Sequence, residues 1–220
     1  MAAGPGLVRA ASVNAFPPIP GPAADHPPLW LVLDACVLMS SILRPLLLDL
    51  AQIGWFRPVW SERIGQEWRR NAARIWEVEP AVLEEEWASM GRRFPEANAG
   101  DVSAYEVGLH YSDPKDRHVV AAGLASRARS ARLVRPEVCV LTWNLKDFNR
   151  SELRRLDVSV RDPDRQLAAW VDQDRVSLAA ALRRLPEYAR TLGRDESPAA
   201  ILRRERLFRT ARLLADDIDS

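Results

Sequence analysis

The chain has 220 residues, of which 47% are hydrophobic and 28% charged, and 31 basic residues against 30 acidic ones leave a net charge of +1. That much apolar side chain excludes a disordered chain, the length excludes a disulfide-stapled miniprotein, and the neutral balance excludes a global field that would draw the protein to nucleic acid or membrane. Two cysteines and three histidines support neither a disulfide framework nor a four-ligand zinc site and point to a reducing, cytoplasmic setting.

Residues 1–28 carry seven of the sixteen prolines and three of the ten glycines, which predicts a disordered tail. The tail lacks the charged start and continuous apolar middle of a signal peptide. No apolar stretch approaches the roughly 20 residues of a spanning helix, so no membrane association is expected. Leu29-Trp-Leu-Val-Leu33 reads as a strand buried on both faces and stops at Asp34. A helical stretch to about residue 53 follows, with Pro45 tolerable near a first turn. Residues 55–60 suit a short strand or loop, and Ser61 is a natural N-cap. Ile64, Trp68, Ala72 and Ile75 then recur at helical spacing and define one buried face, with Glu67 beside it. A second helix is predicted from Pro80 to about residue 90.

Charge is strongly segregated along this middle region. Residues 76–113 hold nine acidic and two basic residues, a net of −7, and residues 117–155 hold nine basic and three acidic, a net of +6. Asp113-Pro-Lys-Asp116 reads as a helix start, and Ala121, Ala122, Gly123 and Ala125 keep the following helix slim enough to lie close on a sheet. Val138-Cys-Val-Leu141 is a second buried strand, 151–156 a short helix and 158–160 a last strand. Alternating strand and helix predicts an α/β fold with a central parallel sheet. Beyond Pro163 the pattern is purely helical: Leu178, Leu182, Leu185, Ala189, and later Leu207, Ala211 and Leu214. The expected division is a tail over 1–28, an α/β domain over 29–164 and a helical extension over 165–220.

Four carboxylates stand where such a fold gathers ligands. Asp34 ends the first strand and Asp147 follows the strand at Leu141, and ligands of open parallel sheets bind at the carboxyl ends of strands. Asp116 opens a helix and Glu67 borders a buried helical face. Taken singly, Asp34 and Asp116 are equally explained as N-caps, Asp147 as a turn residue and Glu67 as a solvated border residue. Taken together, carboxylates converging without His or Cys make a hard-oxygen site suited to Mg²⁺ or Mn²⁺.

Four segments, in order, resemble the PIN domain family, and within it the VapC-type toxin endoribonucleases: Leu31-Val-Leu-Asp-Ala-Cys-Val-Leu38, Trp60-Ser-Glu-Arg-Ile-Gly-Gln-Glu67, Asp113-Pro-Lys-Asp-Arg-His-Val-Val-Ala-Ala122 and Leu141-Thr-Trp-Asn-Leu-Lys-Asp-Phe148. The resemblance implies a PIN-like three-layer fold and an acidic quartet of Asp34, Glu67, Asp116 and Asp147 holding one or two divalent ions. It makes Thr142 and Asn144 auxiliary polar groups and Asp113 an outer acid. The activity it implies is metal-dependent cleavage of RNA to 5′-phosphate and 3′-hydroxyl products, the ion lowering the pKa of water toward neutrality. A cognate antitoxin is the implied partner, with a homodimer as a further expectation. Arg117, Lys146 and Arg150 are candidates for the substrate phosphates. Cys36 stands where many relatives carry Asn or Ser, and residues 76–112 form a longer segment than in minimal members.

The competing readings are a structure-specific DNA nuclease and a non-catalytic PIN-like scaffold binding RNA or protein. A haloacid-dehalogenase-like phosphotransferase needs a second Asp where Cys36 stands, and the phosphate-loop, metalloprotease and nucleophile-elbow motifs are absent. Trp55, Trp60, Trp68, Trp76 and Trp87 offer rings for stacking bases, but their helical spacing favours core anchors.

Overall fold

A computed structural model describes residues 29–130 and 135–218, so the predicted tail lies outside the described residues. In chain order the elements are β1 (Leu29–Leu33), α1 (Ala35–Leu38), α2 (Leu43–Gln52), β2 (Arg57–Val59), α3 (Glu62–Trp76), α4 (Pro80–Arg93), α5 (Ser103–Glu106), α6 (Arg117–Arg129), β3 (Glu137–Leu141), α7 (Arg150–Arg155) and β4 (Val158–Arg161). The helices α8 (Pro163–Gln173), α9 (Arg175–Leu182), α10 (Leu185–Thr191), α11 (Pro198–Arg204), α12 (Phe208–Leu213) and α13 (Ala215–Ile218) complete it. The fold is α/β, with a four-stranded all-parallel sheet flanked by helices, consistent with a PIN-like three-layer arrangement.

The described residues form two compact units. One comprises residues 29–39 and 56–162 and contains the whole sheet; the other comprises 40–55 and 163–218. The break at Pro163 lies beside the expected 164/165 boundary. Helix α2, expected within the α/β domain, instead groups with the C-terminal helices.

In the sheet unit the strand order is β2-β1-β3-β4. The chain leaves β1 toward one edge and later returns to β3 on the other side, so the topological switch, at whose carboxyl end ligands of open parallel sheets bind, lies between β1 and β3. Register pairs Leu33 with Leu141, which sets Asp34 opposite Thr142. Leu31, Val32, Leu33, Val138, Cys139, Val140 and Leu141 are fully buried, as continuous apolar strands demand. Helix α6 packs on β1 and β3. A Cβ on Gly123 would stand 2.6 Å from Val138 and 3.0 Å from Val32, so the glycine permits this close approach.

Ser61 caps α3, its hydroxyl accepting from the Ile64 N–H. The buried face of α3 differs from the expected one at its end: Trp76 takes the last position and Ile75 is 58% exposed, so the spacing continues in fours from Ile64. Trp60, Trp68 and Trp76 are buried, with ring centroids at 6.1 Å for Trp68–Trp76 and for Trp68–Trp87 and 5.7 Å for Trp60–Trp87. These tryptophans are core anchors between α3 and α4. Gly65 is required beneath them, since a Cβ there would meet the Trp87 ring at 2.3 Å.

The predicted helical stretch before residue 53 is broken. The Ser40 hydroxyl accepts the N–H groups of Ile42 and Leu43 at 3.2 and 2.8 Å, starting α2 afresh. Pro45 falls in its first turn, as expected. In the helical unit Leu178, Leu182, Leu185, Ala189, Leu207, Ala211 and Leu214 are all buried, which accounts for their helical periodicity. Trp55 and Trp170 meet at 5.4 Å. The buried Asp164 carboxylate accepts from the Arg209 and Thr210 N–H groups and the Thr210 hydroxyl, tying α8 to α12. No helix among the described residues is long and apolar enough to cross a membrane.

Candidate functional site

Asp34 leaves β1 directly into α1, yet its side chain makes no capping hydrogen bond. Its Oδ2 instead accepts from the Thr142 hydroxyl at 2.6 Å and from the Cys36 thiol at 3.1 Å. Cys36 Sγ in turn accepts the Trp143 N–H at 3.3 Å, and Thr142 Oγ1 accepts the Asn144 N–H at 3.0 Å. The thiol thus donates to Asp34 and accepts from Trp143, joining the two strand ends. Burial, then the neighbouring Asp34 carboxylate, push the Cys36 thiol up to about 12, so it stays protonated and donates. The result is a buried lock across the β1–β3 switch that fixes one carboxylate.

Asp116 precedes α6 and likewise makes no side-chain cap. Burial raises its carboxyl from 3.8 to about 6, and the charges of Asp34, Asp147, Asp113 and Glu67 add to the rise. The N-cap account of Asp34 and Asp116 therefore fails, while all four partner acids lie within electrostatic reach of Asp116. Asp147 sits in a short 3₁₀ turn, Leu145–Asp147, and its carbonyl accepts the Asp113 N–H at 2.8 Å, joining the two acidic segments. Asp113 Oδ1 accepts the Lys115 N–H at 2.9 Å, a turn-forming role in an exposed loop.

Glu67 arrives from α3. The next residue, Trp68, donates its indole N–H to the Leu38 carbonyl at 3.1 Å, which pins this stretch of α3 against α1. Burial first and Asp34 second raise the Glu67 carboxyl. His118 Nε2 lies 3.6 Å from Glu67 Oε2. His118 is 1% exposed, and burial, with Arg63 adding to it, lowers its pKa to about 4. The imidazole is neutral near pH 7, so this contact is not an ion pair.

The donor set is all oxygen and mutually repelling, which matches the chemistry of a hard divalent cation. Its spacing is looser: among the described residues no three His, Cys, Asp or Glu side chains stand close enough together to grip an ion.

Of the basic candidates, Lys146 and Arg150 are exposed. Arg117 is committed elsewhere, its Nε donating to the Ser112 carbonyl at 3.3 Å and its Nη2 to the His110 carbonyl at 3.0 Å. Facing it, the buried Glu152 carboxylate accepts the N–H groups of His110, Tyr111 and Ser112 at 2.6, 3.0 and 2.9 Å and the Ser112 hydroxyl at 2.7 Å. Burial raises the Glu152 carboxyl, but these donors outweigh it and hold the group below the ordinary range. Sequence reasoning assigned Glu152 no role. Its one signal is the position three residues after Asn149, whose side chain caps α7; that spacing ordinarily marks a capping box, and here the Glu reaches a distant loop instead. No protein-family model, no curated protein and no solved structure matches the chain.

Proposed function

We propose that the chain is a divalent-metal-dependent endoribonuclease acting on RNA phosphodiesters, and that it is the toxin of a type II toxin–antitoxin pair. The observation that supports the reading is the rise of Asp116 to about 6, caused first by burial and then by the charges of Asp34, Asp147, Asp113 and Glu67, beside the carboxyl ends of a parallel sheet. A cation would relieve the repulsion that these carboxylates feel at the distance they stand, and perturbed acids at the carboxyl ends of a sheet favour a functional site over a structural one.

Asp34, Glu67, Asp116 and Asp147 are the oxygens that would hold Mg²⁺ or Mn²⁺. A bound ion supplies charge neutralisation of the phosphate and eases the deprotonation of water near neutral pH. Thr142 and Cys36 hold Asp34 in one rotamer, and Trp68 fixes the helix that carries Glu67. Lys146 and Arg150 remain for substrate phosphates. The toxin assignment and its antitoxin partner rest on the four family-like segments.

The test is cleavage of a labelled RNA with Mg²⁺ or Mn²⁺, with a chelator, and with Asp116→Asn, beside growth arrest on expression. Metal-dependent cutting that the exchange abolishes is expected; metal-independent cutting, or none with either ion, overturns the reading. The spread of the acids favours a second reading, a non-catalytic scaffold. That reading requires no thermal shift with Mn²⁺ and no toxicity.

A further inference from the structure

The first turn of α6 encloses a polar ring beside the acids. His118 follows Asp116 by two positions and is 1% exposed, and neither of its ring nitrogens has a hydrogen-bond partner among the described residues. Burial and the charge of Arg63 keep the ring neutral near pH 7, so it carries one N–H and one bare nitrogen. A buried imidazole whose N–H stays unbonded is a worse core residue than an aliphatic side chain of similar size.

Two acceptors compete for that N–H. The Lys115 carbonyl lies within electrostatic reach of the ring, and Glu67 Oε2 stands 3.6 Å from Nε2. A hydrogen bond to a carboxylate is roughly twice as strong as one to a neutral acceptor, which favours the proton on Nε2. Glu67 is also the partner free to move, its side chain being 33% exposed while the ring is enclosed. A shift of about 0.6 Å brings the pair to ordinary hydrogen-bond distance.

We infer that His118 is a positioning residue for Glu67: its Nε2–H donates to Oε2 and leaves the other carboxylate oxygen to the divalent ion. The inference rests on the metal-dependent reading and adds to it a residue from outside the four acids. A glutamate at the border of a helix has several rotamers, and ordering it only when the ion arrives weakens binding. Held at one oxygen, it meets the ion in one orientation, as Asp34 does with Oδ2 taken by Thr142 and Cys36. One turn of α6 thus brings in Asp116 and, two residues on, the donor for Glu67.

The experiment uses the full chain, with Mn²⁺ alone as the probe. In a chain carrying His26→Gln and His110→Gln, His118 is the one remaining histidine, and nitrogen-15 labelling with long-range proton–nitrogen correlation reads its tautomer. The Nε2–H form is expected. The Nδ1–H form would overturn the inference with His118 and Glu67 both intact, so a position 118 variant that fails to fold cannot shield it. Mn²⁺ affinity is then read from the ion's electron-spin resonance signal, beside melting in chelator. His118→Leu should weaken Mn²⁺ binding about 10–100-fold, and His118→Gln, which keeps a donor, should recover most of the loss. In chelator the order should reverse, with Leu melting at or above Gln, because Leu leaves no buried polar group unpaired. Affinities that simply follow the melting order would make the histidine merely structural. Adding His118→Leu to Glu67→Gln should cost no further affinity, and a full additional loss would place its action elsewhere. If the wild type binds no Mn²⁺ and cuts no RNA, the endoribonuclease reading falls and takes the positioning role with it. If the wild type binds Mn²⁺ and cuts RNA while His118→Leu binds the ion as tightly, the positioning role alone falls.

Discussion

Replacing Asp116 by Asn removes a charge whose formation is opposed first by burial and then by Asp34, Asp147, Asp113 and Glu67. The side chain makes no capping bond to α6, so the isosteric exchange should cost the helix start almost nothing. The rise from 3.8 to about 6 corresponds to roughly 3 kcal/mol. Solvent screening of a partly exposed group reduces this to about 1–2 kcal/mol. The sign follows from which state ionises first. The unfolded carboxyl loses its proton near 3.8 and the folded one near 6, so the penalty is absent below the first value, grows between them and is complete above the second. Near neutral pH, in chelator, the Asn variant should therefore melt about 2–8 °C above the wild type. The margin should vanish toward about pH 4. Mn²⁺ should reverse the order, because an ion at a hundred times its Kd adds about 2.7 kcal/mol to the chain that binds it. RNA cleavage should fall at least ~10²-fold, the upper end of what losing even an outer partner of a metal ligand costs. Melting curves across pH, with and without Mn²⁺, decide the matter. An Asn variant that melts below the wild type by one fixed margin at every pH, with an undiminished Mn²⁺ response, refutes both the raised Asp116 carboxyl and its place at the ion.

Thr142→Val keeps the side-chain shape but deletes the 2.6 Å bond to Asp34; it should cost about 1–3 kcal/mol in urea titrations, and an unchanged midpoint would count against the lock. Because the Cys36 thiol is held at about 12, iodoacetamide should alkylate it in the native protein ~10³-fold more slowly than a free thiol; peptide mass spectrometry would expose equal native and denatured rates, which would disprove this. Glu152→Gln should cost on the order of 2–3 kcal/mol. Since the Glu152 carboxyl is held below its ordinary value of 4.5, its contribution is present above that value and is lost as pH falls through the folded one. The Gln variant should thus show a flatter acid limb in a pH series of melting temperatures, and an identical limb would refute the assignment.

The sheet was legible because β1 and β3 are short apolar runs without alternation, which only burial on both faces explains. The acids were legible for a related reason: each sits at an end or border of an element whose type was clear, and topology alone then brings strand ends together. What escaped depends on partners far along the chain. Glu152 acts on backbone groups 40 to 42 residues away, and Cys36 completes its bonds with residues 106 and 107 positions on. Local pattern carries no trace of such pairs. Arg117 looked available for phosphate because a basic residue beside an acidic one reads as surface charge; its guanidinium is spent on two carbonyls. The exchange of Ile75 for Trp76 on the α3 face was a choice between two apolar neighbours at spacings of three and four, and the indole won through its contact with Trp68.

The grouping of α2 with the C-terminal helices has a consequence for synthesis on the ribosome. Helix α2 ends at Gln52, and its companions begin only at Pro163. At 5–20 residues per second, the intervening stretch takes roughly 6–22 s to emerge. During that interval Leu43, Leu46, Leu47 and Leu50, all buried in the finished protein, have no helical partner from their own unit. The sheet unit, whose last strand ends at Arg161, can close before then. The nascent chain thus carries an apolar helix whose own unit is completed only when the helices from α8 onward have emerged.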